Sequence, residues 1–145
     1  MKLSFIERSL VNNPVRALIQ KHPEGPMLRK MGSRDAYPVC LEIGCGRGIG
    51  AQVIVAQFGA EKVIATDFDS EQIQRARQVL RPDFEEKIEF KVEDAMALDE
   101  PDETFDAVFS FGVIHHLEDW RKGIKEVSRV LKSDGGFFLK NRFSH

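Results

Sequence analysis

The sequence has few of the features that define several large classes of protein. It contains only two cysteines, Cys40 and Cys45, and no apolar run reaches the length of a membrane span. A disulfide scaffold is therefore not expected, and both cysteines are expected to be free thiols in a reducing compartment. Charged residues interrupt the apolar residues of segment 1–8 too early for a signal-peptide core. We therefore expect a cytoplasmic protein with no membrane span.

An excess of charge of either sign is also absent. The 145 residues include 21 basic and 23 acidic side chains, which gives a formal net charge of −2. No global positive field attracts nucleic acid, so no nucleic-acid partner is expected. The content of 42% hydrophobic and 30% charged residues is typical of one globular domain with a single core.

Residues 1–36 are expected to form a helical flank or lid, and residues 37–145 the core domain. Asn13 can cap a short helix with Pro14 in its first position, and the prolines and glycine of segment 22–26 end that helix. The candidate functional residues all follow this flank.

Strand and helix patterns alternate from residue 39 onwards. Strands are predicted at 39–43, 63–66, 88–92, 105–111 and 137–139. Helical spacing follows the first strand, the second strand after a Ser70 cap, and the fourth strand after an Asp119 cap. This alternation predicts an α/β fold, a doubly wound and mostly parallel sheet with helices on both faces.

Two patterns predict where particular elements lie. The third strand alternates apolar and charged residues, which suits a position near a sheet edge. Trp120, Ile124, Val127 and Leu131 recur at helical spacing and are expected to be core residues.

Ligands of open parallel sheets bind beyond the carboxyl ends of the strands, which here include a glycine-rich loop. A dinucleotide fingerprint counted from Gly44 needs glycine at the sixth position, where Ile49 stands. Counted from Gly46, the loop has Gly48 and then Ala51, which satisfies only the looser form. The loop alone leaves nucleotide binding and a plain tight turn as alternatives.

The pattern Glu42-x-Gly44-x-Gly46-x-Gly48 resembles motif I of class I S-adenosylmethionine-dependent methyltransferases. Segments 63–67, 93–95, 105–108 with 112–117, and 131–136 resemble the later motifs of that family, in its order, over roughly residues 39–140. Segments 105–108 and 112–117 are similar to those of small-molecule methyltransferases of the ubiquinone-biosynthesis type. The resemblance implies S-adenosylmethionine as cofactor, strand order 3-2-1-4-5, and methyl transfer to an unidentified, small-molecule acceptor.

The resemblance also implies which residues bind the cofactor. The glycines would let the backbone bend and the methionine portion lie against it. Asp67 would accept hydrogen bonds from the ribose hydroxyls, the alternative being a surface turn. Phe68 would pack on the adenine, the alternative being core packing. The expected cofactor-binding residues are Glu42, Gly44, Cys45, Gly46, Gly48, Asp67, Phe68, Asp94, Ala95, Ser110 and Phe111.

Three further residues of this set carry alternatives. Asp94 would bind the adenine amino group, with the Ala95 N–H on a ring nitrogen, unless Asp94 is an exposed loop acid. Glu42, an acid in an apolar strand, is costly unless paired; it would hold the loop or attract the cofactor's sulfonium and amino group. Cys45 is either a small residue packed behind the loop or a thiol activated by a helix N-terminus.

Methyl transfer from a sulfonium is an in-line displacement with an activated donor, so no obligatory catalytic dyad is expected. His115 and His116 are the candidates for proton transfer, although one of them can instead brace the following helix. No metal site is expected, because adjacent histidines point in different directions and no further ligand cluster accompanies them.

The last residue, His145, follows the fifth strand closely, whereas complete domains of the family usually continue through another helix and two more strands. The fifth strand is then an apolar edge, which a homodimer, strand exchange or residues 1–36 would cover. A catalytically incomplete cofactor-binding domain that acts through a partner is the alternative function. A nicotinamide-dependent oxidoreductase is disfavoured by Ile49 and by the absence of a substrate domain.

Overall fold

A computed structural model describes residues 36–139, except for the side chain of His115. The helical flank expected over residues 1–36 lies outside the described residues apart from Ala36. Within the described range, no helix is both long enough and apolar enough to cross a membrane.

Strands and helices alternate along the described chain, as predicted. In order they are β1 (Val39–Ile43), α1 (Ile49–Phe58), β2 (Lys62–Asp67), α2 (Ser70–Val79), β3 (Ile88–Val92), β4 (Phe105–Ser110), α3 (Trp120–Val130) and β5 (Leu131–Leu139). Short 3-10 turns at Pro82–Phe84 and Ile114–His116 precede β3 and α3.

The strands form one sheet in the order β3-β2-β1-β4-β5, with every neighbouring pair parallel. This order confirms the predicted 3-2-1-4-5 arrangement and the edge position of β3. The chain leaves β1 toward β2 on one side and later returns to β4 on the other. The carboxyl ends of β1 and β4 are therefore the switch point at which such sheets bind ligands.

Each face of the sheet has its own apolar core. Phe58 of α1 and Ile73 of α2 pack with Phe109 on one face. Ile124 and Val127 of α3 pack with Phe137 on the other. The prediction of helices on both faces is therefore confirmed.

The capping residue of α2 differs from the prediction. Asp69, not Ser70, precedes the helix, and its side chain accepts a hydrogen bond from the Glu71 N–H at 2.9 Å. The Ser70 assignment is wrong because Ser70 already has helical geometry as the first residue of α2. The Asp119 cap of α3 is confirmed, since its side chain accepts from the Arg121 N–H at 3.1 Å.

The apolar stripe of α3 is only partly in the core. Ile124 and Val127 are buried, and Leu131 is half-buried as the first residue of β5. Trp120 is 47% exposed, with the Arg121 guanidinium 4.6 Å from its ring centroid. The core assignment of Trp120 is wrong because this first helical residue covers the turn before the helix, away from the sheet.

β5 is longer than the predicted strand 137–139. It begins at Leu131, and its register against β4 shifts between Phe105 and Ala107. The two glycines within residues 133–136 indicate a turn in the sequence. In the structure these residues belong to β5, beside the shift in register.

Candidate functional site

The carboxyl ends of β1, β2 and β4 meet at one edge of the sheet. Ile43 is in register with Thr66 of β2 and with Ser110 of β4. The glycine loop 44–48 begins directly after Ile43 and leads into α1. The topology thus brings the predicted residues of three separate segments to one place.

Left-handed glycines give the loop its shape. The φ values of Gly44, Gly46 and Gly48 are 70°, 52° and 83°. Residues with a side chain rarely adopt this left-handed region. The Cys45 N–H donates to the Thr66 carbonyl at 2.8 Å, which ties the bend to β2. The sharp turn therefore has a fixed position relative to the sheet.

The three glycines have different surroundings. A Cβ on Gly44 would lie 2.5 Å from Val113 Cβ, and one on Gly48 would lie 2.9 Å from Phe90 Cζ. A Cβ on Gly46 would have nothing within 4 Å. Gly44 and Gly48 therefore allow close packing of the protein itself, whereas Gly46 borders the open space that a ligand can fill. Contact of Gly44 and Gly48 with a cofactor stays a prediction.

Asp67 holds the bend at Gly46. Its Oδ2 accepts a hydrogen bond from the Gly46 N–H at 2.9 Å, and its Oδ1 accepts from the Asp69 N–H at 2.9 Å. The half-buried carboxylate is thus a link between β2 and the glycine loop, which the sequence pattern did not predict. Each oxygen keeps a further lone pair, so hydrogen bonds to a ribose remain compatible with this geometry.

Phe68 points away from the protein core. Its side chain is 79% exposed, because β2 ends at Asp67 and the chain turns outward before α2. The alternative of core packing is therefore wrong. An exposed ring beside the site is available to stack on a planar ligand, and its adenine contact stays a prediction.

Glu42 is buried in the middle of the sheet. Burial raises the pKa of its carboxyl to about 8, and the nearby Asp67 charge acts in the same direction. Its Oε1 has no hydrogen-bond partner within the described structure, and its Oε2 lies against the backbone of Gly50. Its backbone carbonyl accepts from Thr66 Oγ1 at 3.1 Å. Among the described residues, Glu42 Oε1 therefore forms no hydrogen bond with the loop.

Cys45 is packed behind the loop. Burial raises the pKa of its thiol above the usual range, and the negative charges of Glu42 and Asp67 raise it further. The alternative of an activated thiol is wrong, because these effects outweigh any stabilisation of a thiolate by the α1 N-terminus. The other interpretation, a small packed residue, describes its position, and its cofactor contact stays a prediction.

Segment 93–95 joins the site through β2. The Glu93 N–H donates to the Asp67 carbonyl at 3.1 Å. Asp94 is half-buried and accepts from the Met96 N–H at 2.8 Å, and Ala95 is buried. Asp94 is therefore not an exposed loop acid, and its adenine contact stays a prediction.

Ser110 is the last residue of β4, and Phe111 follows it, on the other side of β1 from β2. Ser110 is fully buried, and its Oγ has no hydrogen-bond partner within the described range. Phe111 is half-buried, and a Cβ on Gly50 would approach its ring at 3.0 Å. Both residues lie where the sequence predicted, but their contact with a ligand stays a prediction.

The two histidines lie in the 3-10 turn Ile114–His116 between β4 and α3. The His116 N–H donates to the Val113 carbonyl at 2.9 Å, and the His116 side chain is exposed. The turn follows β4, so it lies at the carboxyl ends of the strands, as the glycine loop does. A proton-transfer role for either histidine stays a prediction.

A family model described as a methyltransferase domain matches residues 41–139. The match includes the glycine loop, the ends of β2 and β4, and all of β5. The chain belongs to this methyltransferase domain family.

The relatives that match this chain are much longer than the chain itself. The chain is 33% identical over 111 residues to a 2-methyl-6-phytyl-1,4-hydroquinone methyltransferase of Synechocystis, covering 74% of this chain and 34% of that protein. It is 34% identical over 125 residues to the sterol 24-C-methyltransferase erg6 of Aspergillus fumigatus, covering 86% and 32%. The chain therefore spans about a third of the length of these two relatives.

A solved structure has the same fold and appreciable sequence identity. The crystal structure of YcgJ from Bacillus subtilis superposes with a TM-score of 0.70 at 30% identity, covering 81% of this chain and 49% of that one. The Rossmann-like architecture of the methyltransferase family is therefore shared by this chain.

Two residues that shape the candidate site were not predicted from the sequence. Val113 packs on Gly44, and Gly50 gives Glu42 the room for its carboxylate. Gly50 could have been identified from the sequence, because a glycine in the first turn of an apolar helix usually has a packing or functional reason. Val113 has no such signal, since only the fold brings its loop onto Gly44.

Proposed function

We propose that this chain binds S-adenosylmethionine at the carboxyl edge of the sheet and transfers its methyl group to a small-molecule acceptor. The observation that carries the proposal is the geometry of Gly46. Its left-handed backbone borders open space, and its N–H is fixed by Asp67. A bend held so that a ligand can approach the backbone is what cofactor binding at a glycine loop requires.

The polar and apolar groups around Gly46 fit the parts of this cofactor. Asp67 has carboxylate lone pairs for the ribose hydroxyls, and the exposed Phe68 ring offers a face to the adenine. Asp94 and the Ala95 N–H would bind the adenine edge. The buried Ser110 Oγ, which has no partner among the described residues, is a further candidate contact.

The cofactor, when bound, supplies a methyl group on an activated sulfonium leaving group. The contribution of the chain is to hold donor and acceptor in line and to exclude water. A base is needed only where the acceptor must lose a proton, and His115 or His116 would serve there. No catalytic dyad is required by this chemistry.

The acceptor is proposed only at the level of a small molecule. Relatives of the chain are named as methyltransferases of a phytylhydroquinone, a sterol and phosphoethanolamine, which differ widely in chemistry. The ubiquinone-type subgroup, a homodimer across the β5 edge and a cytoplasmic location stay predictions from the sequence.

Calorimetric titration with S-adenosylhomocysteine tests the proposal, with NADH as the parallel control. We expect micromolar binding of S-adenosylhomocysteine and no binding of NADH. Binding of NADH alone would overturn the cofactor assignment. Methyl transfer is then tested by screening quinol, sterol and amine acceptors with labelled S-adenosylmethionine.

A further inference from the structure

Glu42 is deeply buried, and no described residue forms an ion pair with it. Its side chain is 2% exposed, and its Oε1 has no hydrogen-bond partner within the described residues. An ionised carboxylate in such a place is costly unless a positive charge is nearby. An acid that no described residue neutralises is therefore expected to keep its proton or to be balanced by the charge of a ligand.

The surrounding elements supply negative rather than positive charge. Asp67 at the end of β2 and the Cys45 thiol in the loop are the titratable groups that interact with Glu42. α1, which packs over Glu42 at Gly50, has no titratable side chain. Arg47 is exposed. The neighbouring groups thus make the position attractive for a cation.

Three further titratable groups of the central strands lie toward the amino ends of these strands. Cys40 precedes Glu42 by two residues on the same face of β1, and its thiol donates to the Tyr37 carbonyl at 3.2 Å. Asp106 of β4 accepts from the Val39 N–H and from Lys132, at 2.9 Å and 3.2 Å. Lys62 pairs with Glu89 at 3.4 Å. Lys62 and Lys132 therefore have other carboxylates as partners.

S-adenosylmethionine and S-adenosylhomocysteine differ by one positive charge. Both carry the ammonium and carboxylate of the methionine portion, which cancel, but only the methyl donor carries a sulfonium. A site that contains a titratable buried acid can distinguish the two by that charge alone.

We propose that Glu42 is the charge sensor of this site: its carboxyl keeps a proton when the site is empty or holds the thioether product, and loses it when the sulfonium donor binds. The inference rests on the proposed cofactor. The proton leaves the Glu42 carboxyl for solvent, and the resulting carboxylate balances the sulfonium. After methyl transfer the sulfonium charge is gone, and Glu42 takes a proton back.

The proposal makes the choice between donor and product depend on pH. Below the pKa of about 8 in the free protein, donor binding must release a proton, so donor affinity rises with pH. Product binding releases no proton from Glu42. The ratio of donor to product affinity should therefore rise about tenfold for each pH unit between roughly pH 5.5 and 7.5.

Proton release is measured directly by titrating the wild-type chain with each ligand in buffers of different ionisation enthalpy at pH 6.5. We expect close to one more proton released with S-adenosylmethionine than with S-adenosylhomocysteine. Equal release with both ligands would overturn the Glu42 proposal and leave the cofactor assignment standing. No binding of either ligand would instead contradict the proposed function, and the charge sensor with it.

The Glu42→Gln variant tests whether the released proton comes from Glu42. The amide has the same shape but cannot ionise, so the difference in proton release should vanish, and S-adenosylmethionine should lose its pH-dependent advantage. A difference that persists in this variant would overturn the assignment to Glu42. The wild-type measurement stands by itself if the variant does not fold, which circular dichroism establishes.

Discussion

Two glutamates of this chain are held in opposite ways. Glu126 on α3 accepts hydrogen bonds from Arg129 Nε and Nη2 at 2.9 Å and 3.0 Å, and from the Leu98 N–H at 2.7 Å. The Arg129 hydrogen bonds lower the pKa of that carboxyl. Glu42 is more deeply buried, has no such cation among the described residues, and has its pKa raised to about 8 by burial.

The difference separates a carboxylate that the protein pairs with its own cation from a carboxyl group that has no cation among the described residues. Arg129 also donates to Asp102 and to the Leu98 and Glu100 carbonyls, which ties the chain between β3 and β4 to α3. This network, the Arg129 network, satisfies its charges internally and has no need of a ligand. The glycine-loop region leaves an acid and a hydroxyl without hydrogen-bond partners among the described residues, and a glycine facing open space, which are features expected of a ligand site.

The largest expected effect breaks the glycine-loop side of the comparison. In Gly46→Val, the side chain fills the open space and the left-handed backbone is strained, so cofactor affinity should fall by about a hundredfold or more. Calorimetry with S-adenosylhomocysteine measures it. Gly59→Val is the matched control, because Gly59 has φ 65° at the far end of α1. That variant should lose stability but keep the affinity; equal losses of affinity would contradict the assignment of the loop.

Glu42→Gln sharpens the comparison through stability. Between pH 4.5 and about 8, Glu42 holds its proton when folded and loses it when unfolded, so wild-type stability falls as pH rises. The variant has no such proton, and its free energy of unfolding relative to wild type should rise by up to about 1.4 kcal/mol per pH unit. Urea unfolding at pH 5.5 and 7.5 measures this difference. A difference independent of pH would mean that Glu42 is ionised in the folded protein.

Asp67→Asn weakens the link between β2 and the loop without changing its shape. Loss of the negative charge weakens the hydrogen bond from Gly46 and the expected bonds from the ribose, and affinity should fall about tenfold. Asp69→Asn is the control, since asparagine caps a helix as well as aspartate does. Equal affinities of both variants would remove Asp67 from the binding site.

Arg129→Gln breaks the other side of the comparison. It should lower the free energy of unfolding by about 1–2 kcal/mol, because Glu126 and two backbone carbonyls lose a charged donor. Cofactor affinity should not change. Arg81→Gln, which removes the exposed pair with Asp83 and the contact of the guanidinium with the Phe84 ring, should cost less, below about 1 kcal/mol, in the same urea experiment. A large loss of affinity in Arg129→Gln would show that the network also supports the site.

The fold was predictable because the alternation of apolar strands and helices is a local pattern. Strand order, the edge position of β3 and both faces of helices followed from it and from the resemblance. Local patterns were less reliable at element ends, where Asp69 displaced Ser70 as the cap and Trp120 left the core. At such ends, geometry that only the folded chain has decides which residue turns inward.

The segments of the candidate site were predictable, but the contacts between them were not. The segments that meet at the sheet edge were found, since the ends of parallel strands lie together. The tie from Asp67 to Gly46 and the contact of Val113 with Gly44 join residues far apart in sequence. The sequence also could not predict that Glu42 Oε1 has no partner among the described residues, because an apolar strand indicates burial but not which groups lie opposite.

Titration of ¹⁵N-labelled protein with S-adenosylhomocysteine tests most directly the claim that the ligand binds where the protein leaves its own groups unsatisfied. The account predicts that the amide resonances of Gly44, Gly46, Asp67 and Ala95 shift together, while the Arg129 Nε–H resonance stays in place. Shifts centred on the Arg129 network, with the glycine loop unchanged, would contradict it.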